Sequence, residues 1–121
     1  RDDPSHLYVR TSTLQDPAKA AAIREYVQAW ARAARWIYEH PDEWIEGYYV
    51  KDQGLSHADG AYLVKQAGEP DIPASWDEAI ARHQETIELL AAESGNPVLD
   101  AKDLYDLRFE NVAADAIGKG V

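Results

Sequence analysis

Apolar residues recur at helical spacing through most of this chain. Asp16 followed by Pro17 is a good helix start, because the carboxylate can cap free backbone amides and proline costs nothing at the first helical position. After this start, one stripe at helical spacing is apolar: Ile23, Val27, Trp30, Ala34 and Ile37. The pattern therefore predicts one long amphipathic helix over residues 17–39.

Two shorter helices are predicted next. A second helix is expected over residues 41–50, because the ring of Pro41 disfavours helix in His40 and so separates it from the first. Ser56, with Asp59 three residues later, resembles a capping pair. This pair indicates the start of a third helix.

The fourth predicted helix follows residues 69–74, whose two prolines forbid regular helix. Ser75 and Glu78 have the spacing of an S-x-x-E capping box. The helix that they introduce has one face at helical spacing: Trp76, Ile80, His83, Ile87 and Leu90. A short turn capped by Asp100 and a last helix over about 110–117 complete the predicted series.

One segment, His6-Leu7-Tyr8-Val9-Arg10, is the plausible strand of the sequence. A lone strand leaves its backbone amides and carbonyls unpaired, so its ladder partner is expected from outside this sequence. The chain also contains no methionine and opens at Arg1. We therefore expect residues 1–121 to be a single, mostly helical unit with one N-terminal strand, forming the C-terminal portion of a larger protein.

Charge and composition narrow the function classes. The 121 residues have a formal net charge of −10 and no basic cluster long enough to follow a phosphate backbone, which argues against nucleic acid and against an anionic membrane surface. The chain has no cysteine, so a disulfide framework, a thiolate metal site and a thiol nucleophile are excluded. No apolar stretch approaches the length of a membrane span.

Little in the sequence indicates catalysis. His83 lies on an apolar face, but no second histidine has the spacing of a metal motif, so we interpret it as a hydrogen-bonded packing residue. Acidic residues at helical spacing are interpreted as solvated faces, and Ser56 and Ser75 as helix caps. The glycines form no phosphate-binding loop. We accordingly predict no catalytic residue, no metal ligand and no cofactor.

The aromatic content is high, with four tryptophans and seven tyrosines. Such side chains serve mainly in cores and between domains. Trp76 is the exception, because it opens a helix directly after a proline-stiffened segment, and the free amides of a helix N-terminus favour anions. Trp76 is therefore our one candidate ligand-binding residue, as a wall beside a small anion.

Several short segments follow one another in a distinctive order. They are Tyr8-Val9-Arg10, Leu14-Gln15-Asp16-Pro17, Trp36-Ile37-Tyr38-Glu39-His40-Pro41-Asp42-Glu43-Trp44, Gln53-Gly54-Leu55-Ser56, Glu69-Pro70-Asp71-Ile72-Pro73-Ala74-Ser75-Trp76, Ala81-Arg82-His83-Gln84-Glu85-Thr86 and Arg108-Phe109-Glu110. Their order and spacing resemble the late portion of solute-binding proteins of ABC transporters in the aliphatic sulfonate, nitrate and taurine group. The resemblance covers nearly the whole chain.

The resemblance implies a fold, a location and partners. Proteins of this group have two α/β lobes joined by a hinge, close on a solute outside the cytoplasm, and hand it to a membrane permease. This chain would be their helical C-terminal portion, located in the periplasm or lipid-anchored at the outer face of the membrane. Its partners would be the N-terminal part of the same protein, the ABC permease and a small anionic solute, which this portion is not expected to bind alone.

Two further expectations concern association. Because the strand and the apolar helix faces would have lost their partners, the isolated chain is expected to self-associate. The alternative to the transporter interpretation is a self-contained acidic helical module that binds a protein partner through exposed aromatic side chains. In that case the strand at residues 7–9 would be dispensable.

Overall fold

The computed structural model describes residues 6–119, which are 68% helical and contain no strand. Within these residues, six α-helices, one π-helical segment and two 3₁₀ turns follow one another. Their bounds are α1 Thr11–Leu14, α2 Pro17–Glu39, α3 Pro41–Trp44, the π-helical segment Ile45–Val50, α4 His57–Ala67, α5 Asp77–Ser94, the 3₁₀ turns Ala101–Leu104 and Leu107–Phe109, and α6 Val112–Ala116. The prediction that the chain is mostly helical is confirmed for these residues.

The long helix α2 begins and ends at the predicted residues. The carboxylate of Asp16 accepts hydrogen bonds from the amides of Ala18 and Lys19, at 3.0 and 3.3 Å. At the other end the chain leaves helical geometry at His40, before Pro41. Both boundaries are therefore set by local chemistry that is readable in the sequence.

The predicted second helix has two parts. Its first turn, α3, is α-helical, and the chain then widens into the π-helical segment. The third helix, α4, has the predicted cap: the hydroxyl of Ser56 accepts from the amide of Asp59 at 3.1 Å and donates to its carboxylate at 2.6 Å. α4 then packs against the π-helical segment.

The last predicted helix is shorter than expected. A 3₁₀ turn occupies residues 107–109, so α6 begins at Val112 instead of near residue 110. Residues 6–10 form neither helix nor strand. The N-terminal strand and the two-lobed fold therefore stay predictions.

The buried core is small and rich in alanine. Where α2 packs against α6, Ala31 and Ala114 are fully buried beside Ile72 from the proline-containing segment. Ile45 and Phe109 are among the few large apolar side chains that are buried, and in the described part of the chain no large side chain has a relative exposure below 2%. Small side chains let α2 and α6 approach closely, but they bury little apolar area.

Much apolar surface stays in solvent. The chain exposes 8929 Å², whereas a monomeric globular protein of 13.5 kDa exposes about 6,500 Å². Large apolar side chains that are more than half exposed are Tyr8, Tyr26, Tyr62, Leu89, Leu90, Val98, Leu99 and Leu104. The helices thus present faces that no other described element covers.

Candidate functional site

Trp76 is the N-cap residue of α5 and is half-buried. Its backbone amide donates to the Oε1 atom of Glu110 at 3.0 Å, and the hydroxyl of Ser75 donates to the same oxygen at 3.3 Å. A carboxylate of the chain itself therefore occupies the N-terminus of α5, where we predicted a small anion beside Trp76. Such an anion would have to displace Glu110.

The predicted capping box at the start of α5 is wrong in its details. The N-cap is Trp76 and not Ser75, and the helix begins one residue later than the box requires. The hydroxyl of Ser75 instead accepts from the amide of Asp77 at 3.3 Å. The acidic cap comes from Glu110, which is distant in sequence, so no local sequence pattern could predict it.

Three side chains meet beside Trp76, and we call them the His6–His83–Tyr105 cluster. The Tyr105 hydroxyl lies 3.1 Å from Nδ1 of His83 and 3.3 Å from Nε2 of His6. All three side chains are half-buried, and the Tyr105 ring centre lies 5.8 Å from that of Trp76. His83, which we interpreted from the sequence as a hydrogen-bonded packing residue, is half-buried and hydrogen-bonded to Tyr105 in the structure.

The hydroxyl of Tyr105 can serve both imidazoles at once. Burial, with a smaller contribution from Tyr8, raises the pKa of Tyr105 above its ordinary value. The phenol is therefore protonated at neutral pH, so it donates to one imidazole nitrogen and accepts from the N–H of the other. His6 and Tyr105 are 99 residues apart in the sequence. Residue spacing could therefore not predict that they are neighbours.

A cleft of about 450 Å³ lies next to this cluster, between residues 7–15 and 103–108. Its cation, Arg108, is already engaged: Nη2 contacts the carboxylate of Asp106 at 2.6 Å, and Nε contacts it at 2.9 and 3.2 Å. The side-chain hydrogen bond from Arg108 lowers the pKa of Asp106 below its ordinary value. The guanidinium is thus neutralised within the chain.

A second, more open cleft of about 600 Å³ lies between the end of α2 and the end of α6. Arg35 pairs there with Glu39 at 2.6 Å and with Glu69 at 2.8 Å, and Lys119 approaches Glu69 at 4.0 Å. These carboxylates raise the pKa of Arg35. A small anion at either cleft would compete with carboxylates that are covalently part of the chain.

Two further features are absent from the described residues. Within residues 6–119, no group of three or more histidine, cysteine, aspartate or glutamate side chains has the geometry to hold a metal ion. None of the helices described is both long enough and apolar enough to cross a bilayer. Trp76, whose amide donates to Glu110, lies beside the His6–His83–Tyr105 cluster.

Comparison with known proteins gives no further identification. No protein-family model, no curated protein and no solved structure matches this chain.

Proposed function

We propose that this chain is the C-terminal helical portion of the substrate-binding component of an ABC importer for small anions such as aliphatic sulfonates or nitrate. The protein would act outside the cytoplasm, without catalysis or a cofactor. Its partners would be the N-terminal part of the same protein, the solute and the permease. Closure of the two lobes about a hinge would follow from tighter solute binding to the closed state, which the permease would then recognise.

The observation that carries the proposal is the uncovered apolar surface. The solvent-accessible area of the chain is more than a third larger than that of a typical monomeric globular protein of the same mass. Exposed leucines and tyrosines contribute to this area. A surface of this kind is expected of helices that cover the sheets of a larger α/β protein. The exposed surface supports only the idea that these helices are covered in a larger protein. The proposal that this larger protein is a solute-binding component rests on the order of the sequence segments.

The most direct test is to read the coding sequence upstream of the codon for Arg1. The proposal predicts a secretory signal followed by alternating strand and helix patterns in the same reading frame. The corresponding longer protein should then bind a sulfonate or nitrate in calorimetry. A start codon immediately before Arg1 would contradict the proposal.

A complementary test uses the chain of residues 1–121 itself. Arg108 in the first cleft is paired with Asp106, and Arg35 in the second is paired with Glu39 and Glu69. We therefore expect no measurable heat on titration with taurine, an alkanesulfonate or nitrate. Sulfate, an anion of similar size, serves as the comparison for non-specific effects. Tight stoichiometric binding by this chain would show that the solute site lies in these helices, contrary to our proposal.

The second candidate function is a self-contained acidic helical module that binds a protein partner. Exposed Tyr26 and Tyr62, together with the stacked rings of Trp44 and Tyr48, favour it, because such rings are frequent in protein interfaces. Removal of residues 1–12 separates the two candidates. Unchanged association would favour the module, whereas a change in association would favour the transporter interpretation. A loss of stability alone fits both candidates, because His6 contacts Tyr105 and α1 contacts α2 within the chain.

A further inference from the structure

Two imidazole nitrogens converge on a single phenol oxygen in the His6–His83–Tyr105 cluster. The Nε2 atom of His6 and the Nδ1 atom of His83 lie 3.3 and 3.1 Å from the Tyr105 hydroxyl. All three atoms are of kinds that bind transition metals, since neutral imidazole and phenolate both donate a lone pair. We infer that His6, His83 and Tyr105 form a binding site for Cu²⁺, separate from any solute site.

The distances fit a shared metal ion without rearrangement of these two pairs. Ligand atoms that lie about 2.0 to 2.1 Å from one metal ion are separated from each other by about 2.8 to 3.4 Å, for bond angles from square to tetrahedral. Both observed separations fall in this range. The two hydrogen bonds thus already hold the phenol oxygen at a chelating distance from each imidazole nitrogen.

The ligand set favours copper among divalent ions. Two nitrogens and one oxygen suit the tetragonal preference of Cu²⁺, which also binds such sites most tightly in the first-row series. On binding, the Tyr105 O–H bond breaks, a Cu–O bond forms, and the proton passes to solvent. The two imidazoles stay neutral and give their lone pairs, so no electron is transferred and the bound site has a net charge of +1.

The surroundings hold the ligands in place on one side. The Trp76 ring packs against that of Tyr105, and the His6 and His83 ring centres lie 5.9 Å apart. His83 is fixed on the long helix α5, and Tyr105 follows a 3₁₀ turn that contacts this helix. His6, from the N-terminal segment, supplies the remaining ligand atom. Water would complete the coordination, since the cluster is only half-buried.

The test is a titration of the full chain with Cu²⁺, with the N-terminal amine acetylated so that it cannot bind the ion. We expect one equivalent to bind and to produce a phenolate-to-copper charge-transfer band in the visible spectrum. Tyr105→Phe should abolish this band. His6→Gln and His83→Gln should each weaken copper binding about tenfold or more, since even the loss of an outer-shell partner of a metal ligand costs about 10- to 100-fold in affinity.

His57→Gln is the matched control. His57 is an exposed imidazole 3.6 Å from the carboxylate of Glu46, so it is a plausible place for adventitious copper. We expect this variant to bind like the parent. Circular dichroism would verify that each variant keeps its helices. Absence of the charge-transfer band in the parent would overturn the proposal, whatever the variants do, and so would copper binding that His57→Gln abolishes and Tyr105→Phe leaves intact.

Discussion

Asp106 accepts hydrogen bonds from both the main chain and the side chain of Arg108. The backbone amide donates at 3.1 Å, and the guanidinium contacts both carboxylate oxygens. These bonds lower the pKa of Asp106 in the folded state. The ion pair therefore stabilises the fold fully above the unfolded-state pKa of about 3.9, and its contribution is lost as the pH falls through the lower, native pKa.

We predict that Asp106→Asn lowers the free energy of unfolding at neutral pH by about 0.5 to 1 kcal/mol. The value is modest because Arg108 is exposed and solvent screens the pair, whereas asparagine can still cap the following turn. The difference from the parent should shrink as the pH falls through the native pKa. Urea unfolding at several pH values measures it, with the exposed Asp103→Asn as control. A difference that is constant with pH would contradict the assigned role of the charge.

Individual residues also show what sequence reasoning can and cannot reach. Asp16 and Ser56 cap their helices by bonds to residues two or three positions away, so the pattern contained both partners. The partners of His83 come from another turn and from the N-terminal segment. The sequence therefore predicted that His83 is a packing residue, but it could not identify Tyr105 or His6 as its neighbours.

At the scale of elements, the contact between α4 and the π-helical segment depends on Gly60, which has no side chain. A Cβ atom at Gly60 would lie 3.0 Å from Cγ2 of Ile45 and 3.0 Å from Cβ of Tyr49. At such distances Ile45 or Tyr49 must shift by a few tenths of an ångström to admit a methyl group. Alanine has a higher helix propensity than glycine by about 0.5 to 1 kcal/mol, but overpacking costs about 1 to 3 kcal/mol.

We therefore predict that Gly60→Ala destabilises the chain by about 1 kcal/mol in thermal or chemical unfolding. Gly47→Ala is the matched control, because no atom outside its own helix lies within 4 Å of a Cβ there. That variant should gain up to about 1 kcal/mol from helix propensity alone. If Gly60→Ala stabilised the chain as much as Gly47→Ala, the close packing of α4 on the π-helical segment would be wrong.

The start of α5 gives a second prediction for an element. Glu110→Ala removes the acceptor for the Trp76 amide and the Ser75 hydroxyl, so we expect a loss of about 1 kcal/mol in unfolding free energy. Glu110→Gln keeps an acceptor and should lose less. Glu78→Ala, at the position of the predicted capping box, should cost only the small dipole effect of about 0.3 kcal/mol. A larger loss for Glu78→Ala than for Glu110→Ala would restore the capping box.

These elements also show how much of the fold follows from the sequence. The starts of α2 and α4 and the break at Pro41 agree with the predictions, because each depends on neighbours along the chain. The π-helical segment instead packs against α4, and the N-terminus of α5 is capped by Glu110, so each has a partner outside the element itself. Elements whose form is decided by tertiary contact were the ones that local patterns described incorrectly or only in part.

For the whole molecule, two properties oppose each other. Exposed apolar side chains favour association, and the net charge of −10 opposes it through repulsion between copies. Repulsion between exposed charges weakens as salt shortens the Debye length, from about 30 Å at 0.01 M to about 8 Å at 0.15 M. The apolar attraction has no such dependence. Association should therefore increase with salt.

We predict that the chain sediments as a monomer at low salt and concentration, and as larger species when both are raised. The apolar side chains within residues 89–99, at the end of α5 and after it, should contribute to this association, since Leu89 and Leu99 are 65% and 60% exposed. The double variant Leu89→Glu with Leu99→Glu should then reduce association. Ala92→Glu with Ser94→Glu adds the same charge nearby without removing a leucine, so it separates repulsion from lost apolar contact.

A chain that stays monomeric at high concentration and high salt would show that its surface needs no covering partner, which would weaken the transporter proposal and favour the self-contained module.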